Sequence, residues 1–242
     1  RTGYIRMMRN CLIAAGNSKD TSLIKEITTF QYGYDIFRNY GLLDSFDFIP
    51  VEDNYILGPN DNLIIRLWGK LETMITETID KNGNIYIPQV GYIYIAGSSF
   101  LKAKELIRKE IGKKFVNVET SITMGKLKTI KIYILGEVEK PGAYNISSLS
   151  TLMNALYIAG GPKKSGSLRN IELRRKGLKN SKIDLYSFIF KGDSNQDPLL
   201  KTLDTIYIPP IKNTVQINGG VNKEAIFEFK KSESLDSIIK NY

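Results

Sequence analysis

The chain has 242 residues, 42% hydrophobic and 24% charged, a composition of folded domains that excludes a disordered tail. It holds no histidine and one cysteine, Cys11, which removes imidazole-based triads, an internal disulfide and cysteine-rich metal sites. The formal charge of +9 favours acidic partners, although a genome biased towards Ile, Lys and Asn accounts for it as well.

No apolar run reaches the roughly 18–20 residues that span a bilayer. Residue 1 is Arg, so the native start is expected upstream and a missing signal peptide carries no weight. Residues 1–50 are rich in Tyr and Phe, with "FQYGYDIF" at 30–37 and no sustained helical period. "IPVEDN" at 49–54 is polar and turn-prone, a boundary.

From Tyr55 the pattern sharpens. Gly58-Pro59-Asn60-Asp61 separates two apolar runs and predicts a turn, with Pro presetting φ and Asn or Asp bonding its own backbone. "NLIIRLW" and "MITETID" read as strands, and Trp68, at a strand end, is expected in the core. Asn82-Gly83 is the pair favoured where a two-residue hairpin needs positive φ, and Ile79, Ile85 and Ile87 flank it. "GYIYIAG" at 91–97 is a further strand. A helix is predicted over 99–114, capped by Ser98 or Ser99, with Ala103, Leu106, Ile107 and Ile111 inward. Its charges pair as Glu105–Lys109 and Glu110–Lys114 on a solvated face. A strand follows at 116–124.

The next unit opens near Thr129, where Ile130, Ile132 and Ile134 alternate with Lys131 and Tyr133. Lys140-Pro141-Gly142 suits a type II turn with Gly142 at positive φ. A helix is predicted at 150–159, ended by Gly160-Gly161-Pro162. Short strands are expected at 169–174, 182–185 and 205–208.

Shifted by 83 residues, the chain repeats itself. Ile134, Gly136, Val138, Lys140 and Leu152 meet Ile217, Gly219, Val221, Lys223 and Leu235. One supersecondary unit is therefore used twice. The second copy has Ala225 where the first has Gly142, and Ala is penalised at positive φ by roughly 1 kcal/mol or more. The second hairpin is thus expected to change turn type by looping wider. It stops at Tyr242, aligned with Ala159, and about 31 residues bury no core of their own. A truncated second copy is the expectation.

Together these segments resemble the outer-membrane polysaccharide export family. "YILGPNDNLIIRLWG" with "IDKNGNIYIPQVGYIYIAG" is similar to its polysaccharide-export domain. "IKIYILGEVEKPGAY", "LMNALYIAGGP" and "DTIYIP" are similar to its soluble-ligand-binding β-grasp domain. The resemblance implies an α+β chain of serial small mixed domains. Residues 1–52 are an N-terminal segment, 53–127 the export-like domain, 128–212 a first β-grasp domain and 213–242 the start of a second. It makes Gly58, Pro59, Asp61, Asn82, Gly83, Gly136, Pro141, Gly142, Gly160 and Gly161 structural motif positions.

The resemblance further implies a periplasmic or outer-membrane component of capsular or exopolysaccharide export in a Gram-negative-type envelope. It would be a homo-oligomeric ring forming a conduit, working with an inner-membrane polysaccharide co-polymerase or export complex. It would have no catalysis, metal or cofactor. A non-transporting glycan- or peptidoglycan-binding structural module is the alternative. A nucleic-acid binder would rest on net charge alone, without an aromatic-basic motif or basic recognition helix.

Between Pro162 and Lys182 lie eight cations against Glu172 alone. Of these, Lys163, Lys164, Arg169, Arg174, Arg175 and Lys176 are candidate contacts to an acidic polysaccharide, a phosphate-bearing surface or an acidic partner subunit. A solvated loop and strand face explains the same run. Trp68, Tyr92 and Tyr94 are candidates for stacking on sugars, and Glu137 with Glu139 or Asp193 with Asp197 the only carboxylate pairs worth weighing for glycan cleavage. They lack a partnering signature.

Overall fold

The computed structural model describes residues 30–38, 51–70, 72–217, 223–230 and 232–234; Cys11 lies outside them. The chain divides into two compact units, Gly33–Asn213 and Arg1–Tyr32 with Thr214–Tyr242. Secondary structure is mixed, several small sheets with short helices, as the α+β reading expects.

In the larger unit β1 (Asn62–Gly69) is the centre of a three-stranded antiparallel sheet, between β2 (Thr73–Thr78) and β5 (Val118–Met124). Leu63, Ile65 and Leu67 of β1 point into the core because strand side chains alternate. That same alternation puts Trp68 outside, 45% exposed, so the expectation of a core tryptophan fails. A hairpin, β3 (Asn84–Ile87) with β4 (Gly91–Tyr94), adds Ile85, Ile87 and Ile93 to the cluster.

Helix α1 (Phe100–Gly112) closes this core, its Ser99 cap accepting from the Lys102 amide. Its buried stripe is Phe100, Ala103, Ile107 and Ile111. Leu106 is exposed, since one helical step from Ile107 turns it about 100° off the stripe. Glu110 takes Lys113, one residue before the expected Lys114.

Two turns here follow one recipe. Pro59 precedes Asn60 at φ 73°, and Asp61 N–H donates to Gly58 O at 3.1 Å. Pro88 precedes Gln89 at φ 66°, and Val90 N–H donates to Ile87 O at 3.1 Å. Proline second and a left-handed residue third is the type II pattern. The Asn82-Gly83 turn departs from expectation, because only Gly83 has positive φ, 88°. Gly83 N–H bonds Asp80 O, and the Asp80 carboxylate accepts from Asn82 N and Asn84 N. An aspartate-centred loop therefore replaces the two-residue turn.

The second sheet has the order β7-β6-β10-β8-β9. These are β6 (Thr129–Gly136), β7 (Gly142–Ser147), β8 (Ile171–Arg174), β9 (Ser181–Ile183) and β10 (Thr205–Ile208). β10 runs parallel to β6 and antiparallel to β8. Ile130, Ile132, Ile134, Ile206 and Ile208 face one side. Helix α2 (Leu152–Ile158) has Leu152, Ala155 and Leu156 fully buried. Thr151 and Asn154 form a reciprocal cap at its start. Gly160 and Gly161, at φ 82° and 81°, end it as expected.

A short helix not foreseen, α3 (Leu185–Lys191), follows β9 between the Asp184 cap and left-handed Gly192. Its "LYSFIFK" is β-branched and aromatic, so local propensity conceals it. The segment 33–38 docks on this domain through buried Tyr34, whose hydroxyl donates to Gly166 O, and buried Phe37 beside Gly161.

The smaller unit contains the repeat hairpin, β11 (Thr214–Ile217) with β12 (Ala225–Glu228). Ile134 pairs with Gly142 and Ile217 with Ala225; Ile132 pairs with Tyr144 and Val215 with Phe227. The register thus repeats at the 83-residue shift, and the same seven residues lie between partners. The second loop has no added residue, and its own conformation at 218–222 lies outside the described residues. Neither Gly142 nor Ala225 has positive φ, which is why alanine replaces glycine there without strain. Left-handed backbone falls instead on Gly136, at φ 89°, where a Cβ would lie 2.1 Å from Ile208 O. Its counterpart Gly219, Val221 and the expected helix beyond Ser234 lie outside the described residues. Gln31 bridges Ile226 in parallel, and Tyr32 stacks on Phe227 at 5.1 Å.

Candidate functional site

The inward side chains of the five-stranded sheet, Ile130, Ile132, Ile134, Leu173, Ile206 and Ile208, are buried, so chemistry toward a partner belongs to its other face. Strand alternation builds that face from the polar positions between the isoleucines. β6 contributes Lys131, Tyr133 and Leu135, and β7 Ala143 and Asn145. β8 contributes Glu172 and Arg174, β9 Lys182, and β10 Thr205 and Tyr207. In register, Tyr133, Thr205 and Arg174 form one row, and Leu135, Tyr207 and Glu172 the next.

Arg174 lies over the Tyr207 ring at 4.5 Å and donates Nε and Nη2 to the single oxygen Oε2 of Glu172, at 3.1 and 2.9 Å. Lys131 sits 5.9 Å from the Tyr133 ring centre. Three cations therefore face one carboxylate, with two aromatic rings between them.

The six sequence-picked cations do not form one patch. Arg174 alone joins this face. Arg169 is 4% exposed, held by Asp184 at 3.2–3.3 Å and stacked 5.0 Å over Tyr186. It is a buried structural residue, since a paired guanidinium inside the fold has no surface to offer. Arg175 turns to the sheet's end, donating to Asp204 at 2.6 and 2.8 Å; these bonds raise its pKa above the usual guanidinium value.

Lys176 is exposed in the turn before Gly177. Lys163 and Lys164 are exposed at the opposite end of the sheet, where Lys163 N–H donates to Glu137 O. The strand between these ends separates them by roughly 13 Å. Sequence reasoning missed Lys131, Tyr133 and Tyr207 as surface candidates, although the alternation in "TIKIYIL" and "TIYI" marks their outward places.

A second aromatic surface lies on the β3–β4 hairpin. Tyr86, Tyr92 and Tyr94 are 47, 74 and 64% exposed, opposite the isoleucines, and the rings of Tyr86 and Tyr92 are 5.1 Å apart.

Three of the four carboxylates weighed for cleavage have structural partners, and Glu139 is exposed. Glu137 accepts from the Ser165 hydroxyl, Asp193 from Asn195 N–H, and Asp197 from Met153 N–H at the start of α2. Burial raises the Asp197 pKa above the ordinary value, against the hydrogen bonds from Met153 and Thr151. Among the described residues no group of three or more Asp, Glu, His or Cys could hold a metal, and no helix is long and apolar enough to cross a membrane.

Asp61, fully buried, is the hub joining the two sheets. Its carboxylate accepts from Gly58 N–H, the Tyr55 hydroxyl and Lys128 N–H, each at 2.8 Å, and from the Lys128 ammonium at 3.2 Å. Burial pushes the Tyr55 phenol above the ordinary tyrosine value, while its contact with Ser148 opposes this. Lys128 leads directly into β6, so the Gly58–Asp61 turn anchors one sheet to the first strand of the other.

Residues 49–125 match the family described as Polysaccharide biosynthesis/export protein, and 131–184 match the SLBB domain. The chain is 32% identical over 206 residues to the polysialic acid transport protein KpsD of Escherichia coli, an alignment covering 84% of this chain and 36% of KpsD. It is 25% identical over 146 residues to the EPS I polysaccharide export outer membrane protein EpsA of Ralstonia solanacearum, covering 59% of this chain and 38% of EpsA. The chain thus spans little more than a third of either relative.

Proposed function

Because this chain belongs to the polysaccharide export family, we propose that it works in the periplasm or outer membrane, where it helps move a capsular or extracellular polysaccharide out of the cell. The observation that carries this reading is the order of two different family matches along one chain, an export domain followed by a β-grasp domain. In this reading 53–127 and 128–212 are the rigid blocks of a protomer, and several protomers form a ring around the polymer. An inner-membrane co-polymerase or export complex would deliver the polymer to it.

Transport of this kind depends on geometry and weak contact. An exposed ion pair contributes about 0–1 kcal/mol and is screened by salt. Repeating such a contact around a ring holds a chain without fixing it, so entry is favourable and exit stays easy. The exposed cations Lys163, Lys164, Arg174 and Lys176 supply such contacts toward an acidic polysaccharide, and no catalytic residue is assigned.

The decisive measurement is the mass of the full-length protein extracted from envelopes, with surface polysaccharide measured in a deletion strain. A multi-copy assembly and lost surface polymer are expected. A stable monomer would replace the conduit by a non-transporting glycan- or peptidoglycan-binding module, and undiminished surface polymer would remove the export role.

A further inference from the structure

We propose that the open face of the five-stranded sheet is a binding site for carboxylated sugar units, with Arg174 and Lys131 taking the carboxylates and Tyr207 and Tyr133 stacking on the rings. This deepens the export reading and rests on it. The geometry is a diagonal strip. Tyr207 occupies its upper end, with the Arg174 guanidinium reaching over it from the next row; Arg174, Thr205 and Tyr133 form the middle row, and Lys131 the lower end, four strand residues below Leu135, the β6 partner of Tyr207. Strand geometry makes the strip roughly 13–14 Å long. That is room for a short run of sugar rings.

Three features select this ligand over others. The face carries Lys131, Arg174 and Lys182 against Glu172 alone, so its charge complements an anionic chain. Each aromatic ring has a cation beside it, Arg174 at 4.5 Å from Tyr207 and Lys131 at 5.9 Å from Tyr133. A pyranose bearing a carboxylate presents both a C–H face and an anion, and so meets ring and cation together. Arg174 spends Nε and Nη2 on one oxygen of Glu172, and its Nη1 makes no bond among the described residues. Glu172 therefore orients the guanidinium without saturating it. A simple acidic peptide would engage the cations but leave the rings unmatched.

The test uses the full-length protein in low-salt titrations with three probes: oligosialic acid, neutral dextran oligosaccharide and polyglutamate of matched charge. Oligosialic acid is expected to bind, dextran at least tenfold more weakly and polyglutamate in between. Arg174→Gln and Tyr207→Leu should each lower oligosialic acid affinity about five- to tenfold. Tyr207→Leu should leave polyglutamate binding unaltered, and Lys109→Gln on the outer face of α1 should change nothing.

Equal binding of polyglutamate and oligosialic acid, indifferent to Tyr207→Leu, would reduce the face to a non-specific basic surface and overturn the proposal. So would self-association of the protein that Tyr207→Leu abolishes, which would mark the face as an interface between copies. No binding of oligosialic acid by a protein that restores surface polymer to a deletion strain would overturn this site and leave the export reading intact. Failure to restore polymer while oligosialic acid still binds would remove the export reading alone.

Discussion

Asp61→Asn tests whether one buried carboxylate couples the two sheets. The substitution keeps the volume and exchanges one oxygen for an amide nitrogen. If the nitrogen takes the Oδ2 place it meets the Gly58 N–H and the Lys128 ammonium, both donors. If it takes the Oδ1 place it meets the Lys128 N–H and the Tyr55 hydroxyl, and only the hydroxyl can reverse. Either way a backbone N–H loses its acceptor, and leaving a buried donor unsatisfied costs about 1–3 kcal/mol. Loss of the charge on a fully buried acceptor adds to this, so the total is about 2–4 kcal/mol.

In a chain of this size each kcal/mol lowers the melting temperature by about 2–4 °C. Urea unfolding followed by the fluorescence of Trp68, the sole tryptophan, reads the change as a midpoint shift at constant slope. Tyr55→Phe removes one donor and should cost only about 1 kcal/mol. Faster proteolysis between Gly125 and Thr129 should accompany Asp61→Asn, because the same carboxylate holds the Lys128 backbone. A stability within about 0.5 kcal/mol of the wild type would refute the hub.

Three further outcomes follow from the same geometry. Gly136→Ala places a methyl 2.1 Å from Ile208 O at positive φ and should cost about 2–4 kcal/mol in urea unfolding, whereas Gly142→Ala, at a position open to solvent, should be neutral or slightly stabilising. Arg169→Ala removes the buried cation facing Asp184 and should cost about 3–5 kcal/mol, while Arg169→Met combined with Asp184→Asn, which keeps an acceptor for the Tyr186 N–H at the start of α3, recovers part of it; equal loss in both proteins would refute the buried pair.

Asp197→Asn keeps an acceptor for Met153 N–H. Its carboxyl has a folded pKa above the unfolded one, so the folded state holds the extra proton and stability falls as pH rises through the interval between them. At neutral pH the Asn protein should therefore equal or exceed the wild type, and the gap should close as pH drops below the ordinary aspartate value. A gap that widens toward acid would reverse the assigned direction.

How far the sequence reached is clearest at the hairpins. The 83-residue repeat was readable because its aligned apolar places survive as paired positions, Ile132 with Tyr144 and Val215 with Phe227. The reading of the turn failed because it placed positive φ on Gly142, when that residue already belongs to β7 and the chain reverses hand at Gly136. Glycine marks where left-handed backbone is permitted and leaves open which glycine uses it. The Gly58–Asp61 turn was legible for the opposite reason: proline and a neighbouring Asn restrict the backbone locally, with no help from the rest of the chain.

The candidate surface was the least legible part. Eight cations in twenty-one residues looked like one patch, yet alternation and the strand end sent Arg169 inward, Arg175 to Asp204 and Arg174 outward. The tyrosines that give the face its aromatic character come from β6 and β10, far apart in the chain and joined only by their parallel pairing.

What the amino-acid order determined by itself was local: alternating isoleucines for strands, Ser99 and Thr151 as helix starts, Pro-Asn and Gly-Gly as ends and turns, and a repeated unit. Each follows from φ/ψ restriction or from periodicity within a few residues. Only the tertiary structure decided which cations see water and which rings lie beside them, because that depends on strand order and on buried partners such as Asp184 and Asp204. Those are contacts between distant residues, and no local pattern encodes them.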